Sequence, residues 1–161
     1  MASTSTNKQP LLVDNVLHVA VDMNLHKVGV NNTTPGNISG ANTAAKIVDS
    51  ISGDGAIVEC MYTIARSTDA FNINLYLSTT GDYLRPEQSV FIGQITSGTT
   101  VFAKTEVDDM PTVLAPVARV GSQLRALYIP RGYALWAGVE VADITAAQTE
   151  APILGVQGGR Y

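Results

Sequence analysis

Cysteine occurs once in this chain, at Cys60. One thiol closes no intrachain disulfide and builds no cysteine-rich zinc site, so both kinds of staple are excluded. Charge is sparse too: 15% of the 161 residues are charged, ten Lys plus Arg against fourteen Asp plus Glu, a net −4. No two basic residues are adjacent. A nucleic-acid binder needs a basic stripe to neutralise phosphates, and an anionic membrane surface calls for a similar cluster. Neither nucleic acid nor membrane is therefore expected as a partner. No apolar run approaches the roughly 18 residues of a spanning helix. The opening Met1–Pro10 stretch has no apolar core of the kind a secretory signal carries, and synthesis in a reducing cytoplasm is expected.

What is present favours strands. Val, Ile and Thr make up about 27% of the chain, whereas Lys and Glu are few. Branched side chains suit a pleated, half-buried surface better than a helix. Hydrophobic residues reach 45%, enough for a core, and the length fits one domain. Residues 1–10 are expected to be an extended or disordered N-terminal arm, rich in Ser and Thr and ending at Pro10. Residues 11–161 are expected to form one domain.

From Val16 the pattern has period two. Leu17, Val19, Val21, Met23 and Leu25 alternate with His18, Ala20, Asp22, Asn24 and His26, which predicts a long strand with one wet face. Residues 31–43 read as a turn-rich loop, and Ala44–Ile51 fits a strand or one short helix equally. After Gly53-Asp54-Gly55, Ala56–Ala65 is apolar on both faces, as in a central strand. Phe71, Ile73, Leu75 and Leu77 alternate cleanly with Asn72, Asn74, Tyr76 and Ser78. Further strands are predicted at Ser89–Thr96, Thr100–Glu106, Val113–Val120, Gln123–Ile129, Tyr133–Ala142 and Ile153–Val156. Such spacing belongs to an all-β antiparallel β-sandwich, jelly-roll-like in strand number.

Catalytic and metal chemistry find little support. His18, Asp22 and His26 at intervals of four would stack on a helix, but on a strand they spread over roughly 27 Å and share no ion. No Gly-x-Ser-x-Gly elbow accompanies the histidines, so no nucleophile, base and orienting group assemble. Cys60, in register with Val58, Tyr62 and Ile64, reads as a buried core thiol. Gly53-Asp54-Gly55 precedes a strand and is a turn, not a dinucleotide loop. Glu106, Asp108 and Asp109 before Met110-Pro111 read as a solvated acidic loop. The expectation is a protein that is not an enzyme and uses no cofactor or metal.

Trp136 alternates with Leu135, Ala137, Val139 and Val141, which places it on the outer face of its strand beside Gly138 and Glu140. There it is either an interface anchor or, if that face is covered, part of a core.

Three stretches carry a resemblance. They are Ile57–Ala65 leading to Phe71-Asn72-Ile73-Asn74-Leu75-Tyr76-Leu77-Ser78-Thr79-Thr80-Gly81-Asp82; Phe91-Ile92-Gly93-Gln94-Ile95; and Gln123-Leu124-Arg125-Ala126-Leu127-Tyr128-Ile129-Pro130-Arg131-Gly132-Tyr133 running into Leu135–Val141. In order and pattern they resemble the jelly-roll capsid decoration, or cement, proteins of tailed bacteriophages, over about two thirds of the chain. The resemblance implies a structural virion protein on the outer capsid surface, a homo-oligomer (trimer or dimer) that clamps neighbouring subunits of the major capsid protein around packed DNA. The expected contacts are the arm, Ser3, Thr4, Ser5, Thr6, Asn7, Lys8, Gln9 and Pro10, together with Tyr133 and Trp136. The alternatives are a head-fibre base or tail component, and a carbohydrate-binding module with Trp136 and Tyr133 or Tyr128 as its platform.

Overall fold

The computed structural model describes residues 15–29, 44–81, 88–107, 117–118, 125–142 and 149–161. The expected arm, the loop at 31–43 and the Asp108–Pro111 acidic stretch lie outside the described residues. The strands are β1 (Asn15–Asp22), β2 (Lys27–Gly29), β3 (Ala45–Asp49), β4 (Gly55–Ile64), β5 (Asn72–Ser78), β6 (Ser89–Thr96), β7 (Lys104–Glu106), β8 (Val117–Ala118), β9 (Arg125–Pro130), β10 (Ala134–Val141) and β11 (Ile153–Arg160).

They form two sheets. The first runs β1-β11-β4-β9-β8, with β7 also on β4; the second runs β2-β10-β5-β6, with β3 also on β10. All described pairings are antiparallel except β2 with β10. Each sheet has a long central strand with one edge divided between two short ones. On β4, β9 takes Gly55–Val58 and β7 takes Tyr62–Ile64. On β10, β3 takes Ala134–Ala137 and β2 takes Val139–Val141.

The alternation in the sequence decides which side chains meet between the sheets. Leu17, Val58, Met61, Leu127, Ile129, Leu154 and Val156 from the first sheet face Ile73, Leu75, Leu77, Ile92, Leu135 and Val139 from the second. Most are fully buried, and each such side chain contributes about 1.5–3 kcal/mol. A smaller cluster, Val28, Ala44, Tyr76, Ala134 and Trp136, lies on the other face of the second sheet. The result is an all-β sandwich.

Four local expectations are corrected or decided. The strand predicted from Val16 to His26 stops at Asp22, and Met23–Leu25 form one turn of 3-10 helix. The cause is a side chain competing for backbone: the Asp22 carboxylate accepts from the Asn24 N–H at 3.0 Å. The corner is pinned further by Met23 N–H to the Pro152 carbonyl at 3.1 Å and Ala151 N–H to Asn24 Oδ1 at 2.8 Å. Met23 is fully buried there while Leu25 is 73% exposed, and the chain passes from one sheet to the other. Burial opposes ionisation of Asp22, but the Asn24 N–H and the Arg66 guanidinium, 2.8 Å away, hold its carboxyl below the usual range.

Ala44–Ile51 contains a strand, β3. The strand predicted from Thr100 begins only at Lys104, because Val101 and Phe102 make a turn. Cys60 does not share the side of Val58. A bulge opposite Gln157 and Gly158 inserts one residue into β4, so Val58 and Met61 both point inward and Cys60 is left half-buried.

Candidate functional site

The residues singled out from sequence are not brought together. Ser3 to Pro10 lie outside the described residues. Tyr133 sits in the turn before β10, 36% exposed, its N–H bonded to the Pro130 carbonyl at 3.2 Å and its carbonyl accepting from Ser50. Trp136 lies on the outer face of β10, as its parity requires, but that face is covered and the ring is 4% exposed. It packs with Tyr76, Ala44 and Val28 in the second cluster. A buried ring offers no stacking platform for a sugar. Tyr128 is on β9, in the other sheet, and cannot extend such a platform.

Next to the cluster the outer face of the second sheet turns polar. Gln94 Nε2 donates to Asn74 Oδ1 at 2.8 Å and to Glu140 Oε2 at 3.2 Å, and Thr96 Oγ1 donates to Asn72 Oδ1 at 3.1 Å. Asn74 and Tyr76 are fully buried, and the Tyr76 ring meets Phe91 edge-on, centroids 5.8 Å apart. Burial, aided by the Glu140 charge and opposed by a hydrogen bond with Asn74, pushes the Tyr76 hydroxyl up to about 12. A folded pKa above the unfolded value near 10 favours the neutral form, so this contribution to stability is intact below pH 10 and lost as pH rises towards 12. In a spectrophotometric titration of the six tyrosines, the last ionisation step is expected near pH 12 and coupled to unfolding. Tyr76→Phe should abolish that step.

The outer face of the first sheet is organised around Tyr62. Its ring lies over Gly155 on the neighbouring strand, where a Cβ would overlap it, and its hydroxyl is 3.4 Å from His18 Nε2. The Lys104 ammonium stands 4.8 Å from the ring centroid and 2.8 Å from Glu106. His18 thus has a cross-strand partner, and the sheet break at Asp22 separates it from His26. Among the described residues, no group of three His, Cys, Asp or Glu side chains is placed to hold a metal ion.

One end of the sandwich exposes apolar side chains that the sequence reading missed. Asp22, Ile153, Ile64 and Lys104 form a row across β1, β11, β4 and β7. The chain leaves β1 towards Leu25 and approaches β7 from Phe102 at this same end, about 14 Å apart at three strand spacings. Leu25 is 73%, Val101 40% and Phe102 82% exposed. Phe102 also has φ 63°, the only non-glycine residue with positive φ among those described. Its N–H bonds to the Ala65 carbonyl at 2.8 Å, and Ala103 N–H to that of Thr100 at 2.9 Å, so the turn is held in this shape. A bulky side chain in the left-handed region costs about 1–2 kcal/mol, and an exposed Phe recovers nothing from the core. The available signal was Ser97-Gly98-Thr99-Thr100, a turn cluster that continues into Val101 and Phe102.

No protein-family model, curated protein or solved structure matches the chain.

Proposed function

We propose that the chain is a structural virion protein that binds the outer capsid surface and clamps neighbouring major capsid subunits, acting as a homo-oligomeric decoration protein. The observation that carries this reading is the end of the sandwich bearing Phe102 and Leu25. A strained, solvent-exposed aromatic at the same end of the sandwich as a second exposed apolar residue is the composition of an anchor that fills a partner's pocket. The strand order adds support. The last strand, β11, lies between β1 and β4, while β10 lies between β2/β3 and β5; this interleaving supports reading the sandwich as jelly-roll-like, an architecture that capsid proteins share with lectins. On a shell, many copies of a modest interface sum to a large stabilisation through multivalency.

The decisive measurement is quantitative mass spectrometry of particles from the source. A ratio near one copy per major capsid subunit is expected. A count of a dozen or fewer would move the protein to a tail or vertex, and absence from particles would overturn both assignments. Phe102→Gly separates anchoring from folding. Glycine adopts positive φ without strain, so the isolated chain should keep or raise its melting temperature, while shell binding weakens about tenfold or more. Deleting residues 2–10 should likewise leave the melting temperature unchanged and weaken shell binding.

A further inference from the structure

Of the described strands that end a sheet, β1 alone is left unguarded. β8 has two residues and β7 three; in the second sheet β2 has three and β3 five, with Lys46 among them. β6 has eight, but its ladder slips opposite Leu75 and Tyr76, next to Gly93 with φ 149°. Short length, a lysine and a bulge are the devices by which sheet edges avoid pairing with another chain. β1 has none of them. Its eight residues contain no Lys, Arg, Pro or Gly, and they pair with β11 from Asn15 to Asp22 without a register shift. In an antiparallel ladder one neighbour takes alternate N–H and C=O groups, and no second described strand takes the remainder from β1.

The side chains say what fills that edge. Leu17, Val19 and Val21 face the core, yet only Leu17 is buried; Val19 and Val21 pack against the core and stay partly exposed. On the outer face Val16 is 86% exposed. One added strand would cover both inward valines. Among the described strands of a second copy, only β1 matches in length and regularity. A two-fold axis normal to the sheet keeps inward residues inward only if it passes through a residue pair, because a slip by one exchanges the faces. An axis at Val19 sets Val19 against its own copy and Leu17 against Val21, so every inward pair is apolar, while His18 meets Ala20 and Val16 meets Asp22 outside. An axis at His18 would put Asn15 against Val21, and one at Ala20 would pair only the five residues from His18 to Asp22.

We infer that β1 is a dimer interface: two copies of this chain join edge to edge, antiparallel, about a two-fold axis at Val19. The contact is isologous and closes on itself, and it makes one continuous sheet of the first sheets of both copies. The inference rests on the homo-oligomer part of the reading above and not on a capsid, so the purified chain alone tests it.

Sedimentation of the full chain between about 1 and 100 µM should show a reversible dimer, since one strand pair is a small interface. Hydrogen exchange locates it: the alternate β1 amides that β11 leaves free should gain about tenfold or more protection at high concentration and lose it on dilution. Val19→Lys and Val19→Glu each set like charges face to face on the axis, so each variant should be monomeric alone. At the sheet edge their charged ends reach water and the fold holds. An equimolar mixture of the two should restore the dimer. A wild-type monomer or trimer throughout that range overturns the inference, as does a dimer that either folded variant leaves intact, or a mixture that stays monomeric. Protection of those amides that does not depend on concentration also overturns it, because a segment of the same chain then covers the edge. Should the charged variants fail to fold, the concentration dependence of exchange in the wild-type chain still decides.

Discussion

Gly158→Ala is expected to lower stability by about 3 kcal/mol, the largest effect of any single added methyl group at a described glycine. A Cβ at this position would overlap the carbonyl oxygen of Ile57 and crowd the Val58 backbone. The obstacle is main chain in the central strand of the first sheet, and it cannot swing aside without breaking the β4–β11 ladder at its bulge. Gly132→Ala is the control. That residue has φ 84° but open space around it, so it carries only the conformational penalty of about 1–2 kcal/mol. Gly155→Ala tests a third situation, where the obstacle is the Tyr62 ring. Its cost should shrink sharply in a Tyr62→Ala background, a coupling measurable by a double-mutant cycle. Urea unfolding of the five variants (the three glycine substitutions, Tyr62→Ala and the Gly155→Ala/Tyr62→Ala double) and the wild type gives the comparison directly. If Gly158→Ala proves no worse than Gly132→Ala, the close approach at the bulge is wrong.

Met23→Ala should destabilise by about 3 kcal/mol, equivalent to a fall of roughly 6–12 °C in Tm, whereas Leu25→Ala should stay within about 0.5 kcal/mol. The two residues are neighbours on one turn of 3-10 helix, and sequence hydropathy treats them alike. They differ because the turn delivers Met23 into the space between the sheets, where it is fully buried, and Leu25 to solvent. Equal losses would mean that the strand continues through His26 after all.

The contrast also explains which parts of the fold were readable from sequence. Phe71 to Ser78 and Leu135 to Val141 announce their faces because uninterrupted alternation needs only local geometry. β5 and β10 bury Leu75 and Leu135 in the main core and place Tyr76 and Trp136 opposite, as expected. Where a bulge or cap interrupts the ladder, parity inverts and the pattern misleads. One inserted residue in β4 turned Cys60 away from the core, and one carboxylate accepting from Asn24 ended β1 early. The end strand was underestimated for another reason. Gly155, Gly158 and Gly159 give no hydropathy signal, although two of them are required by what packs against them. Of the candidate sites, the outward parity of Trp136 was legible, but its burial was not, because that depends on residues distant in sequence. Phe102 was hidden within Thr100–Glu106, a stretch read as one strand whose first part folds as a turn.

The position of β11 has a consequence for how the chain assembles. β1 pairs with β11 alone among the described strands, and its first residue, Asn15, meets Arg160, 145 positions later. Until that late segment docks, β1 is an unpaired edge with nothing to hold its register. Loop closure over such a span is entropically expensive, which favours slow folding and a partly formed species with open strand edges. Crowded, rapid synthesis would thus expose the protein to self-association through β1. A substitution that slows docking of β11 should appear first as aggregation during refolding, before any loss of equilibrium stability is measurable.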